Sequence, residues 1–473
     1  MKLLFLDRIK NPQHKFSTMF LRLSLFFALF SLPALAQITI QFPTSGIVFQ
    51  RTNQNSTKFY LSGTCPNDLD RIEAKLLPRS EGQGIATDWL SVEANPISGY
   101  YCGSITGEGG WYNLLVRGIK NGQPIGEVTT LEKVGIGEVF LIVGHSNAEG
   151  GASPSLGSND ERVNGIHFEQ GSQMHTQYLQ TADTTYLPNQ YGQFCITCSL
   201  SPFGNPWYWT QLGDSLASKL NVPILFYGAA FGGSNMDLTY KSAYDIPFSH
   251  GFINYSIRMP YVNIRNTINK YVPMTGLRGI LSSHGINDAG GTTEEFFNYS
   301  LGVIQKTRQE AQHEKLAWMV AISAYNNGVA QHIVNAQHRV IQEIPDTYQG
   351  PDLNIITNEG RVDNLHLNED GQRLAAIYWS NAIINSNFLA QSEPMLAKPV
   401  RVYIPPSTLQ SGNWNDTGIW CCEKVPKTSD EVFIKLGHTI NIASPVQIRA
   451  LHASGNLSIQ QGGFIEMVNS PSH

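Results

Sequence analysis

The stretch Val139–Gly151, "VFLIVGHSNAEGG", carries an unbroken apolar run straight into Gly-His-Ser-Asn. A run without polar alternation reads as a strand buried on both faces. Its abrupt end on Gly144 and His145 puts Ser146 on the turn that follows. Four more apolar runs have the same texture: "VPILFYG" (222–228), "LRGILSS" (277–283), "LAWMVAIS" (316–323) and "LNIIT" (353–357). Between them, residues 206–220, 294–312 and 329–344 place apolar side chains at helical spacing, and a last helix is predicted from Glu369 onward. Strands alternating with helices specify an α/β domain with five parallel strands, covered on both faces. The segment 147–205 shows no clear period and reads as a long polar loop insertion, the kind that serves as a lid or binding loop.

The flanks differ. Residues 37–133 contain short, partly alternating runs such as "KFYLSG" and "WYNLLVRGIKNG", separated by Gly, Pro and Asn, and read as a small β-sandwich. Residues 393–473 open on a Pro-rich joint and continue as short, closely spaced strands resembling the first coils of a right-handed β-helix, possible as a glycan or cell-surface contact. The solenoid is short enough to suggest that the chain runs on. Residues 1–36 contain Arg22, the apolar run Leu23–Leu32 and Ala34-Leu35-Ala36, the pattern of a signal peptide, with Met19 as an alternative start. The expected location is therefore secreted, periplasmic or cell-surface. With 473 residues, 41% apolar and 15% charged, and a net charge of −5, the chain has ample core and no basic footprint for nucleic acid. No membrane span is expected. In an oxidising compartment Cys65 and Cys102 could pair. Cys195-Ile-Thr-Cys198 could close a local disulfide; no second CxxC completes a zinc site.

In open α/β sheets ligands bind beyond the carboxyl ends of the strands. The residues found there are "GHSN" (144–147), "AAFGGSN" (229–235), "HGIND" (284–288) and "VDNLHLNEDG" (362–371). Each alone reads as a turn. Together they supply a hydroxyl at Ser146, a base at His366 and a carboxylate at Asp363 to hold the base in one tautomer. They also supply donors for an oxyanion: the N–H groups of Ser146 and Gly233 and the Asn287 amide. His145, Asn147, Gly232, His284 and Asp288 stand beside these groups and are candidates for substrate binding. No metal ligands and no cofactor are expected.

These four blocks, over about 134–390, resemble those of the SGNH (GDSL-type) hydrolases, and more narrowly their sialate O-acetylesterase and acetylxylan esterase branch. The resemblance implies a flavodoxin-like three-layer α/β/α core and a metal-free ester hydrolase, often acting on acetylated carbohydrate. The chain departs from the branch at His145 and His284, where glutamine is usual, and at Ile286, where glutamate is usual. Both histidines replace an amide by a group that ordinarily titrates near neutral pH, so one of them is a candidate for a protonation-dependent substrate contact. A non-catalytic carbohydrate-binding or adhesion protein is the rival from another class. A lipid esterase is the rival within enzymes, against which the polar, Tyr-rich stretch 172–194 suits sugar rings better than acyl chains.

Overall fold

The computed structural model describes residues 37–399 and 405–468, except the Cys422 side chain. The signal-peptide expectation lies outside the described residues. Gln123–Gly144 (β1) is a single 22-residue strand. Its first half pairs antiparallel with Gly110–Lys120, and its second half runs parallel between Ile224–Ala229 and Gly279–Ser283. The expected boundary at 133/134 therefore falls inside a continuous strand. Lys133 there has a φ of 63°, and the register with the partner strand shifts next to it. The module boundary is a β-bulge that bends one strand from one sheet environment into the next.

Val163–Ile166 (β2), Ile224–Ala229 (β3), Gly279–Ser283 (β4), Ala317–Ile322 (β5) and Thr347–Asp352 (β6) complete the parallel set, in the order β6-β5-β4-β1-β3-β2. Three expectations are corrected here, the first being the count: six parallel strands stand where five were expected. The last strand is the polar "TYQGPD" rather than "LNIIT", whose Leu353 and Ile356 are buried in a loop instead. The segment 147–205 is not a structureless loop. It supplies β2 at the sheet edge, an antiparallel neighbour Tyr191–Gln193, a helix Gln173–Thr181 and the Cys195–Cys198 disulfide.

Alternate residues of the strands enter two separate cores, as a pleated strand covered on both sides requires. Val139, Leu141 and Val143 join Leu225, Ile280 and Val320 in one. Packed against that side are Thr293–Ala311 through Phe297 and Ile304, and Gln331–Glu343 through Ile333. Phe140 and Ile142 join Phe226, Leu281 and Met319 in the other, with Trp209 and Leu216 of Trp209–Leu220 and Trp379 of Glu369–Asn385.

In the N-terminal module Ser56–Thr64 pairs with Tyr100–Glu108, and Arg71–Pro78 lies between Leu90–Ala94 and Gly110–Lys120, all antiparallel. In the register of the first pair Ser62 faces Cys102, which leaves Cys65 beyond the last pair. Cys65 is a buried free thiol, so the expected Cys65–Cys102 bridge is absent. At the C-terminal end each strand pairs in parallel with one about twenty residues on: Glu431–Ile434 with Ala450–Ala453, Thr439–Ile442 with Asn456–Ile459, and Pro445–Ile448 with Phe464–Met467. This module rests on the N-terminal one, where Lys435 Nζ meets the buried Glu93 carboxylate at 2.5 Å. Among the described residues no helix is long and apolar enough to cross a membrane.

Candidate active site

The chain leaves β1 for β2 at the sheet edge, comes back to β3 beside β1, and then crosses to β4 on the other side of β1, so the order reverses between β1 and β4. That is the point where α/β sheets open a crevice. Gly144 ends β1 with a φ of 150°, and a Cβ there would lie 2.5 Å from Ser283 O at the end of β4. Only glycine lets the two strand ends approach so closely. The chain then turns directly into the single helical turn Ser146–Glu149 (α1), which lifts Ser146 off the sheet. Trp209 Nε1 donates to Ala148 O at 2.8 Å and anchors this turn.

Ser146 Oγ lies 2.9 Å from His366 Nε2, and His366 Nδ1 lies 2.7 Å from Asp363 Oδ2. The second carboxylate oxygen accepts from the N–H groups of His366 and Leu365 at 2.7 and 3.1 Å. Residual burial raises the Asp363 pKa, but the bonds from His366 outweigh it and bring it down to about 2. Asp363 therefore stays ionised, as a group orienting an imidazole must. The hydroxyl, ring and carboxylate singled out in the sequence stand in one relay.

Among the described residues the Ser146 and Gly233 N–H groups donate to no protein acceptor, which leaves both available to a ligand. Gly233 has a φ of 71°. The exposed Asn287 donates one amide proton to Ser234 O at 2.8 Å, two residues from Gly232, and keeps the second. A Cβ built on Gly232 would lie 3.7 Å from Ser146 Cβ, so the glycine loop borders the hydroxyl directly. Gathered at a strand end, such donors can stabilise charge developing on an acyl oxygen.

The five neighbouring candidates sit differently from expectation. Asn147 is buried, donates to Leu365 O at 3.0 Å and accepts from Leu367 N at 3.2 Å. It grips the peptides on either side of His366 and does not face a substrate. Gly232 N–H is occupied by the Glu149 carboxylate. Asp288 is buried and accepts from Met236 N at 2.8 Å, tying its loop to the helix Met236–Ala243; burial pushes its pKa up to about 7. His145 and His284 are both buried, their rings 6.3 Å apart. Burial, chiefly, lowers them to about 3 and about 4, so both are neutral across the ordinary range. The burial of both rings gives no support to the expected protonation-dependent substrate contact. The four that carry side chains share one cause: on a tight turn successive side chains point in different directions, and those beside an outward group point inward.

Three residues beside the site escaped the sequence reading. Glu149, three residues after Ser146, joins α1 to the glycine loop; burial raises its pKa to about 7. The Arg361 guanidinium donates to the carbonyls of Ile356, Leu365 and Leu353 and lies 4.7 Å over the Tyr325 ring, pinning the loop that carries Asp363 and His366. Phe252 lies against Gly233. The spacing of Glu149 on the Ser146 turn was a usable signal. Arg361 is local, bonding carbonyls four to eight residues away, but a lone arginine in a polar loop gave no sign that it turns inward, and Phe252 meets Gly233 from a separate loop. Of the three tyrosines of 172–194, Tyr178 and Tyr191 are buried, bonded to Asn263 and Tyr227, and only Tyr186 is partly exposed. Among the described residues no cluster of three or more His, Cys, Asp or Glu could hold a metal ion.

No family model and no curated protein matches the chain. Among solved structures it is similar to a carbohydrate acetylesterase from Xanthomonas citri, with 14% identity, 80% of this chain and 79% of that one covered, and a TM-score of 0.44. It is also similar to a protein from Arabidopsis thaliana, with 13% identity, 54% and 98% covered, and a TM-score of 0.37. An acetyl xylan esterase from the rumen bacterium Butyrivibrio proteoclasticus shows 9% identity, 74% and 98% covered, and a TM-score of 0.29.

Proposed function

We propose that the chain is a serine esterase of the SGNH type that removes acetyl or similarly short acyl groups from carbohydrates outside the cytoplasm. One observation carries the esterase reading: the continuous relay from Ser146 Oγ through His366 to Asp363, at 2.9 and 2.7 Å. In this mechanism His366 Nε2 takes the Ser146 proton as Oγ attacks the ester carbonyl. The oxyanion collects hydrogen bonds from Ser146 N–H, Gly233 N–H and the free Asn287 amide proton. His366 then gives its proton to the departing sugar oxygen, and water repeats the cycle on the acyl-enzyme. The motif resemblance supports the carbohydrate and acetyl parts of the reading and the three-layer core. The parallel pairings of 431–467 support a β-helix-like C-terminal module, proposed as a glycan or surface contact, and the N-terminal pattern supports export.

The test is acetate release from acetylated xylan, pectin and sialic acid, beside a simple aryl acetate. The expected result is release from the aryl ester and from at least one carbohydrate. Hydrolysis confined to long-chain acyl esters would favour a lipid esterase, and no hydrolysis at all would favour the non-catalytic rival.

A further inference from the structure

Between the helix Met236–Ala243 and the helical segment beginning at Tyr261, the loop presents Phe252 with 66% of its surface open, although the next residue, Ile253, is only 3% exposed. The loop is built to do this. His250 Nδ1 accepts from the N–H groups of Phe252 and Ile253 at 3.4 and 3.3 Å, and the His250 ring meets Phe252 edge-on at 4.6 Å. Asn254 caps the following turn, Tyr255–Ile257, through Ser256 N at 3.0 Å. The Phe252 ring lies against Gly233, where a Cβ would overlap it. An aromatic side chain is thus fixed beside an oxyanion donor with most of its surface left to solvent, against the gain that full burial brings.

We infer that Phe252 is the platform on which the sugar ring carrying the ester stacks, which makes it a specificity residue for the alcohol side of the substrate. The inference rests on the esterase reading above. An acetyl group whose carbonyl oxygen sits among the oxyanion donors has only a methyl left to bury. A broad, solvent-facing ring matches instead the part of the substrate that remains outside, where the C–H face of a pyranose packs on an aromatic face. The same glycine loop runs on to Asn235, which with Asp237, Asn287 and Tyr299 lines a cleft of about 270 Å³. These side chains offer hydroxyl partners two residues along the loop from Gly233, against which the Phe252 ring lies.

The experiment compares Phe252→Ala, Phe252→Leu and Phe252→Tyr with wild type on methyl acetate and methyl butyrate, whose alcohol carries no ring to stack, and on the acetylated oligosaccharide that the wild type cleaves best. Ala and Leu are expected to lower kcat/KM for the oligosaccharide about ten-fold, mainly through KM, with methyl acetate hydrolysis within about two-fold of wild type; Tyr, which keeps the ring, restores the oligosaccharide rate. Equal losses on oligosaccharide and methyl acetate would make the ring a brace for Gly233 and overturn the inference. Faster butyrate hydrolysis with an unchanged oligosaccharide rate would make it an acyl-length gate and overturn it as well. A wild type that cleaves the aryl acetate but no acetylated carbohydrate overturns the carbohydrate reading, and the platform with it, before any substitution at 252 is compared.

Discussion

Asn287 and the paired histidines show how differently polar residues at one strand end are used. Asn287 is exposed and has an amide proton to spare, so Asn287→Ala should lower kcat by roughly 10²–10³ with little change in KM. A raised KM at unchanged kcat would place it in ground-state binding instead. His145 and His284 lie behind the site, held neutral by burial at about 3 and about 4. Their folded values are below the ordinary value near 6.5. Between pH 6.5 and those folded values the unfolded chain binds protons that the folded chain refuses. Their contribution is therefore intact above pH 6.5 and is lost as the pH falls through that window. His284→Gln removes one of these uptakes, so the drop in Tm from pH 7.5 to pH 4.5 should shrink while the pH profile of kcat/KM stays as in wild type. A shifted activity profile with an unchanged Tm difference would return His284 to the substrate side. At this scale the sequence showed which residue types converge, because each block is local to one strand end. Which way each side chain turns was hidden, since that depends on the neighbouring loop.

The elements that hold the site were legible where they are apolar. The second half of β1 and all of β3, β4 and β5 are buried, largely apolar runs because both faces are covered. β6 is an edge strand with the polar sequence "TYQGPD", and β2 is four residues long, so neither stands out from a loop. Leu353 and Ile356 misled for a physical reason: both side chains turn inward from the loop after β6, and their carbonyls are satisfied by Arg361. That loop and α1 meet through Asn147, whose amide bonds both peptides flanking His366. Asn147→Ala leaves a buried N–H without its acceptor, a cost of about 1–3 kcal/mol. It should lower kcat on an aryl acetate at least ten-fold with KM unchanged, because the ring loses its register with Ser146. A rise in KM alone would show that Asn147 meets the substrate after all.

Across the whole molecule, one strand serves two modules and the C-terminal module returns to the first. Glu93 and Lys435 form an ion pair in which both side chains are almost wholly buried, at 2.5 Å. Burial still raises Glu93 to about 7 despite the cation beside it. Removing one partner of such a pair typically costs about 3–5 kcal/mol. Lys435→Met should therefore loosen residues 405–468 towards protease and hydrogen exchange, while aryl acetate hydrolysis at the opposite end of β1 is retained. Unchanged protection would show that the module is held by other contacts. The central claim, that Ser146 is the nucleophile of a Ser146–His366–Asp363 esterase, is tested most directly by labelling the protein with a fluorophosphonate and mapping the adduct by mass spectrometry. The account predicts stoichiometric modification of Ser146, parallel loss of aryl acetate hydrolysis, and no labelling in His366→Ala. An adduct on another residue, or full esterase activity with Ser146 modified, would contradict it.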